Sequence, residues 1–149
     1  MLEEELQDKI PKKEFIKNKL LNKYYLELDD DLTLNIKNVQ YKNLRCSAIR
    51  AKWLMYLTKE KENRKLLKKA KENLKSVLLD DQNSSENKSI LKQKSEDSIL
   101  KDNDQLKKIN STIEQLDEAI IFLEYAWTIL NDYGYNIKNV IDMIKLEQV

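Results

Sequence analysis

A chain of 149 residues with 36% charged side chains, one glycine and one proline can form one helical domain or two small lobes, but lacks the turn formers that tight hairpins require. It contains no histidine, which removes His-based acid–base chemistry, the usual triads and His-containing metal sites; a single glycine also rules out a phosphate-cradling glycine loop. The net charge of +1 conceals a segregation: residues 42–75 hold twelve Lys or Arg against three Glu, while residues 1–41 and 76–149 carry −2 and −6.

Taken in chain order, the pattern is all-α. Leu2 to Lys9 reads as a short acidic, amphipathic helix stopped near Pro11, unlike a signal peptide. Phe15, Ile16, Leu20, Leu21 and Tyr24 then recur at helical spacing to about Leu26, after which Asp29, Asp30 and Asp31 break the pattern. Residues 24–36 alternate, so strand and helix both remain open there. A long helix is expected to begin between Asn35 and Val39, with Asn35 or Asn38 as its N-cap. Cys46, Ile49, Trp53 and Tyr56 form its apolar phase, which passes through the polar positions Glu60 and Asn63 before resuming at Leu67, Ala70, Leu74 and Val77. That interruption predicts a bend, or a point where the helix leaves its partner. Cys46 is the only cysteine and is expected to be a structural thiol.

Beyond the interruption the helix is basic. Arg64, Lys68, Lys71 and Lys75 fall within about 60° of one another at about 100° per residue, and Lys61, Lys65 and Lys69 extend the same side. Residues 80–98 are polar, rich in Ser and Asn and without periodicity, as in a mobile linker. Next come Leu106, Ile109, Ile113, Leu116, Ile120, Leu123, Trp127 and Leu130, spaced alternately by three and four, an unbroken heptad seam. Such a seam is buried against partner helices, either in a second copy of the chain or in the core of a monomeric bundle. Gly134 is expected to close this helix as a left-handed C′ residue, and a final helix from about Asn136 presents Ile137, Val140, Ile141 and Ile144. The expected division is an N-terminal lobe over 1–79, a linker over 80–98 and a C-terminal oligomerisation region over 99–149. No apolar run approaches the length of a membrane span, and the 26 Asp and Glu residues form no cluster that singles out a metal.

A basic block on an otherwise acidic chain suits a binder of phosphate backbones, because each cation that displaces condensed counterions adds affinity without reading sequence. A solvated helix face has the same composition. The scarcity of acidic partners at i+4 favours binding, and Tyr41, Trp53 and Tyr56 lie just N-terminal to the block, although Trp53 fits a core better than a stacking platform.

The run Val39-Gln40-Tyr41-Lys42-Asn43-Leu44-Arg45-Cys46-Ser47-Ala48-Ile49-Arg50-Ala51-Lys52-Trp53-Leu54 resembles the main helix of the UvsY family, recombination mediators of T-even-type phages. Gly134-Tyr135-Asn136-Ile137-Lys138-Asn139-Val140-Ile141-Asp142-Met143 is similar to that family's C-terminal signature, and the acidic opening with Phe15-Ile16 also fits. Order and separations match over nearly the whole chain. Residues 17–38 are longer than the usual connection, and the family's Lys-Ala-Arg-Leu element falls on Lys75-Ser76-Val77-Leu78, where Val77 replaces the Arg.

The resemblance implies an all-α subunit of a ring-like homo-oligomer, hexameric or heptameric, working in the cytoplasm of the infected bacterial host. It would bind single-stranded DNA and load a RecA-like phage recombinase onto DNA covered by the phage single-strand-binding protein, in homologous recombination, repair and recombination-dependent replication. It would be a loading factor and not an enzyme, needing no cofactor and no membrane. The residues expected to contact DNA are Arg64, Lys65, Lys68, Lys69, Lys71 and Lys75, and the eight seam residues are expected to carry assembly. The competing reading is a coiled-coil structural adaptor whose basic helix docks on an acidic protein.

Overall fold

The computed structural model describes residues 17–83, 100 and 103–148. Among these, all regular structure is helical: α1 (Lys19–Leu32), α2 (Val39–Asn83), α3 (Asp104–Leu130) and α4 (Tyr133–Glu147). The fold class is all-α, and no helix among the described residues is long and apolar enough to cross a membrane. The expected helix over Leu2 to Lys9, the Phe15-Ile16 pair and most of the expected linker lie outside the described residues.

Two compact units divide the chain, one holding residues up to Glu60 and from Glu118 onward, the other Lys61–Asp117. This partition differs from the expected lobes 1–79 and 99–149, because α2 and α3 each contribute to both units. One boundary falls at the polar interruption of α2: Glu60 is buried and Asn63 half-buried, and both have bonding partners.

In the first unit α1 begins at Asn18, whose side-chain oxygen accepts from the Leu21 amide at 3.1 Å while its amide nitrogen donates to Glu118 at 3.0 Å. Leu21, Tyr24 and Leu28 are buried at heptad spacing, and Asp31 takes the next position of that seam. The segment left open between strand and helix is therefore helical up to Leu32. Its alternation misleads because Leu26 is exposed, and the aspartates do not break the helix because the Asp31 carboxylate and the carbonyls at the helix end are bonded. The Asp31 carboxylate accepts from Trp53 Nε1 and from Lys52 Nζ, each at 2.7 Å. Lys42, itself buried, donates its ammonium to the carbonyls of Asp30 and Thr33, a cation at the negative end of the helix.

The pairs Asp31–Trp53 and Glu27–Tyr56 (2.8 Å) run in opposite chain directions, so α1 and α2 are antiparallel. Tyr24, Trp53 and Tyr56 form an aromatic cluster, with Trp53 and Tyr56 edge-on at 5.3 Å between centroids. Burial by itself would lower the Lys52 ammonium, but Asp31 and Glu27 outweigh it and hold the group above the usual lysine value. Burial, then the negative charge of Asp31, pushes the Tyr133 phenol up to about 12; its hydroxyl donates to the Asp31 carbonyl at 2.6 Å.

Helix α2 starts as expected. Asn35 Oδ1 accepts from the Lys37 and Asn38 amides, and Asn38 Oδ1 accepts from the Asn35 amide, so both candidate caps are used reciprocally. Helix α3 is capped by Asn103, whose Oδ1 accepts from the Leu106 amide at 3.0 Å.

Gly134 corrects an expectation. No glycine among the described residues has positive φ, and α3 ends at Leu130, with Asn131 and Asp132 making the corner. Gly134 is the second residue of α4, in ordinary helical geometry, and a Cβ there would stand 4.0 Å from Cys46 Sγ. The final helix accordingly starts at Tyr133 instead of Asn136. Its Tyr133 and Ile137 are fully buried, and Val140, Ile141 and Ile144 pack against the core half-buried.

Candidate nucleic-acid interface

The basic half of α2 lies in the second unit. From Lys59 to Leu79 it contains no Gly, no Pro and a high density of Lys, Leu, Glu and Ala, so intrinsic propensity alone favours a helix there. Leu67, Leu74 and Leu78 are half-buried on one side, and α3 buries Leu106, Ile113 and Leu116 in the same unit.

The cations face a different way. Lys61, Lys65, Lys69 and Asn73 form an i, i+4 row, and with Arg64, Lys68 and Glu72 they line an open groove of about 580 Å³. Among the described residues Glu72 is its one carboxylate, and no aromatic side chain lines it. Lys65, Lys68 and Lys69 are exposed and make no ion pair among the described residues, so their ammonium groups are available to an anion.

Four of the six expected contact residues are thus brought together, namely Arg64, Lys65, Lys68 and Lys69. Lys71 and Lys75 are not: both are half-buried outside the groove, and Lys75 pairs with Glu72 at 3.8 Å. Arg64 is engaged as well, its Nε donating to the Asp117 carboxylate. Val77 is exposed. Asn73 was not anticipated, although its place in the 61/65/69 row was visible in the spacing.

Other parts of the basic block are structural. Lys42 and Lys52 tie α1 to α2, and the Arg50 guanidinium lies 5.8 Å from the Trp127 ring centre. Trp53 is fully buried and hydrogen-bonded, as a core tryptophan. Of the eight seam residues, Leu106, Ile113, Leu116, Ile120, Leu123 and Leu130 are buried within the single chain, while Ile109 and Trp127 are half-buried. No group of His, Cys, Asp or Glu among the described residues is arranged to hold a metal ion.

No curated protein sequence matches this chain significantly. Among solved structures, the crystal structure of the bacteriophage T4 recombination mediator protein UvsY superposes with a TM-score of 0.65 at 18% identity, covering 85% of this chain and 98% of that one. At that identity the likeness speaks for the fold. The family profile described as recombination, repair and ssDNA binding protein UvsY matches residues 6–148, nearly the full length, and the chain therefore belongs to the UvsY family.

Proposed function

We propose that this chain is a recombination mediator that holds single-stranded DNA by its phosphates along the lysine groove of α2. The observation that carries the reading is the groove itself: Lys65, Lys68 and Lys69 are exposed and unpaired among the described residues, and a single carboxylate opposes them. Contacts of this kind are sequence-independent and sensitive to salt. The lining described is polar and cationic, so a strand held there by its phosphates keeps its bases open to another protein.

That chemistry suits a loading factor. A strand held by its backbone presents its bases to a RecA-like phage recombinase while the single-strand-binding protein is displaced. The mediator needs no catalytic centre for this, and self-assembly into a ring would multiply the groove into a continuous basic path. Within the heptad seam, half-buried Ile109 and Trp127 are the side chains left for a neighbour.

Replacement of Lys65, Lys68 and Lys69 together by Glu tests the reading. Losing three phosphate contacts, at about 0.7 decade each per decade of salt, weakens oligo-dT binding by about 100-fold at about 0.1 M salt. Helicity should be unchanged. Unaltered binding by these variants would remove the groove from the mechanism.

A further inference from the structure

A second surface of α2 is unexplained by the lysine groove. In the first unit, Tyr41, Leu44, Ala48, Ala51 and Met55 are spaced by three, four, three and four residues, a heptad stripe. At about 100° per residue this stripe lies opposite the buried face formed by Lys42, Trp53, Leu57 and Glu60. Tyr41, Leu44 and Met55 are 64%, 85% and 70% exposed, and both alanines are exposed too. Scattered exposed apolar residues need no explanation, but an aligned set on one helix face does.

The border of the stripe identifies the kind of partner. Arg45 and Lys59 stand along one edge, two heptads apart, both exposed and neither in an ion pair among the described residues. Gln40, Ser47 and Leu54 form the neutral other edge. In paired helices, residues flanking the seam choose the partner and its direction. Antiparallel pairing with a second copy would set Arg45 against Lys59 of that copy, like charges facing each other. Parallel pairing would leave both cations opposite neutral residues.

An acidic helix complements both cations, which the same stripe of a second copy does in neither direction. We propose that this face docks an amphipathic helix of a protein partner, about four turns long, with apolar residues at three–four spacing and Glu or Asp along the edge that meets Arg45 and Lys59. The surface is separate from the lysine groove, so the inference does not depend on single-strand binding.

The probe is a labelled three-heptad peptide with Leu and Ala in the seam and Glu at the flanking positions, titrated by anisotropy against the full chain without and with saturating oligo-dT. Leu44→Glu should abolish binding. Arg45→Glu with Lys59→Glu should weaken it by about tenfold, the effect of two exposed charge pairs. A matching peptide with Lys flanks should prefer the charge-reversed protein. The proposal is overturned if oligo-dT competes the peptide away, or if Leu44→Glu leaves binding intact, since the acidic peptide would then be sitting on the groove lysines. It is equally overturned if Leu44→Glu changes the oligomeric state by sedimentation, because the occupant would then be a second copy.

Discussion

Removal of Asp31 should loosen the attachment of α1 to α2. The Asp31 carboxylate lies in the apolar seam of α1, 8% exposed, and accepts from the buried Trp53 indole and from Lys52. In Asp31→Ala the indole N–H is left buried without an acceptor, a penalty of about 1–3 kcal/mol, and a hydrogen bond to a charged group worth about 1.5–3 kcal/mol is lost. The two estimates overlap, since both describe the same bond. Lys52 keeps Glu27 at 3.3 Å and is one-third exposed, so its share is small. The expected cost is about 3 kcal/mol. Asp31→Asn, which keeps an oxygen for the indole, should cost about 1 kcal/mol. Urea unfolding in a Trp127→Phe background lets fluorescence report Trp53 alone. At a slope of about 2 kcal/mol/M the alanine variant should lower the midpoint by about 1.5 M. An alanine variant as stable as its parent would refute the argument that this bond fastens α1 to α2.

Two further outcomes follow from the same unit. The phenols of Tyr24, Tyr56 and Tyr133 and the Lys52 ammonium all titrate above their ordinary values, burial being the first cause for the tyrosines. Groups raised in the folded state give stability that is complete below their unfolded values and is lost as pH rises through the folded ones, so stability should fall from about pH 10 toward the Tyr133 value of about 12. Tyr133→Phe should flatten that decline in a pH series of thermal melts, and an unchanged decline would contradict the role given to Tyr133. Gly134→Ala should stabilise the protein by about 0.4–1 kcal/mol, because the position is helical and a Cβ has room beside Cys46; a fall in Tm would show that the first turn of α4 needs glycine.

Much of the helical layout was legible because it depends on local chemistry. Asn35, Asn38 and the 3.5-residue apolar repeats mark helix starts and buried faces directly in the sequence. The failures have tertiary causes. Three consecutive aspartates read as a break, since nothing in the local sequence says that Trp53 and Lys52 will solvate one and that Lys42 will cap the carbonyls. A lone glycine after an apolar run reads as a C-cap, yet the Asn131–Asp132 corner turns the chain without positive φ. The seam from Leu106 to Leu130 was visible, but periodicity cannot say whose helices cover it, and most of it is covered within the chain.

The basic site was partly legible for the same reason. Composition located the charge block, and i, i+4 spacing found the row that lines the groove. Which cations are engaged elsewhere depends on neighbours: Arg64 on Asp117, Lys75 on Glu72, Lys52 on Asp31. Only after those pairings are known do Lys65, Lys68 and Lys69 stand out.

The central claim is that the α2 groove grips a single strand by its phosphates. Its most direct test is the anisotropy of a labelled oligo-dT strand, short enough to cover one groove, across a salt series with a duplex of equal length beside it. Three available lysines predict a log–log slope of about −2, with the duplex binding more weakly. Absence of binding at low salt, or a slope near zero, would contradict the account and leave the lysine face as solvated surface.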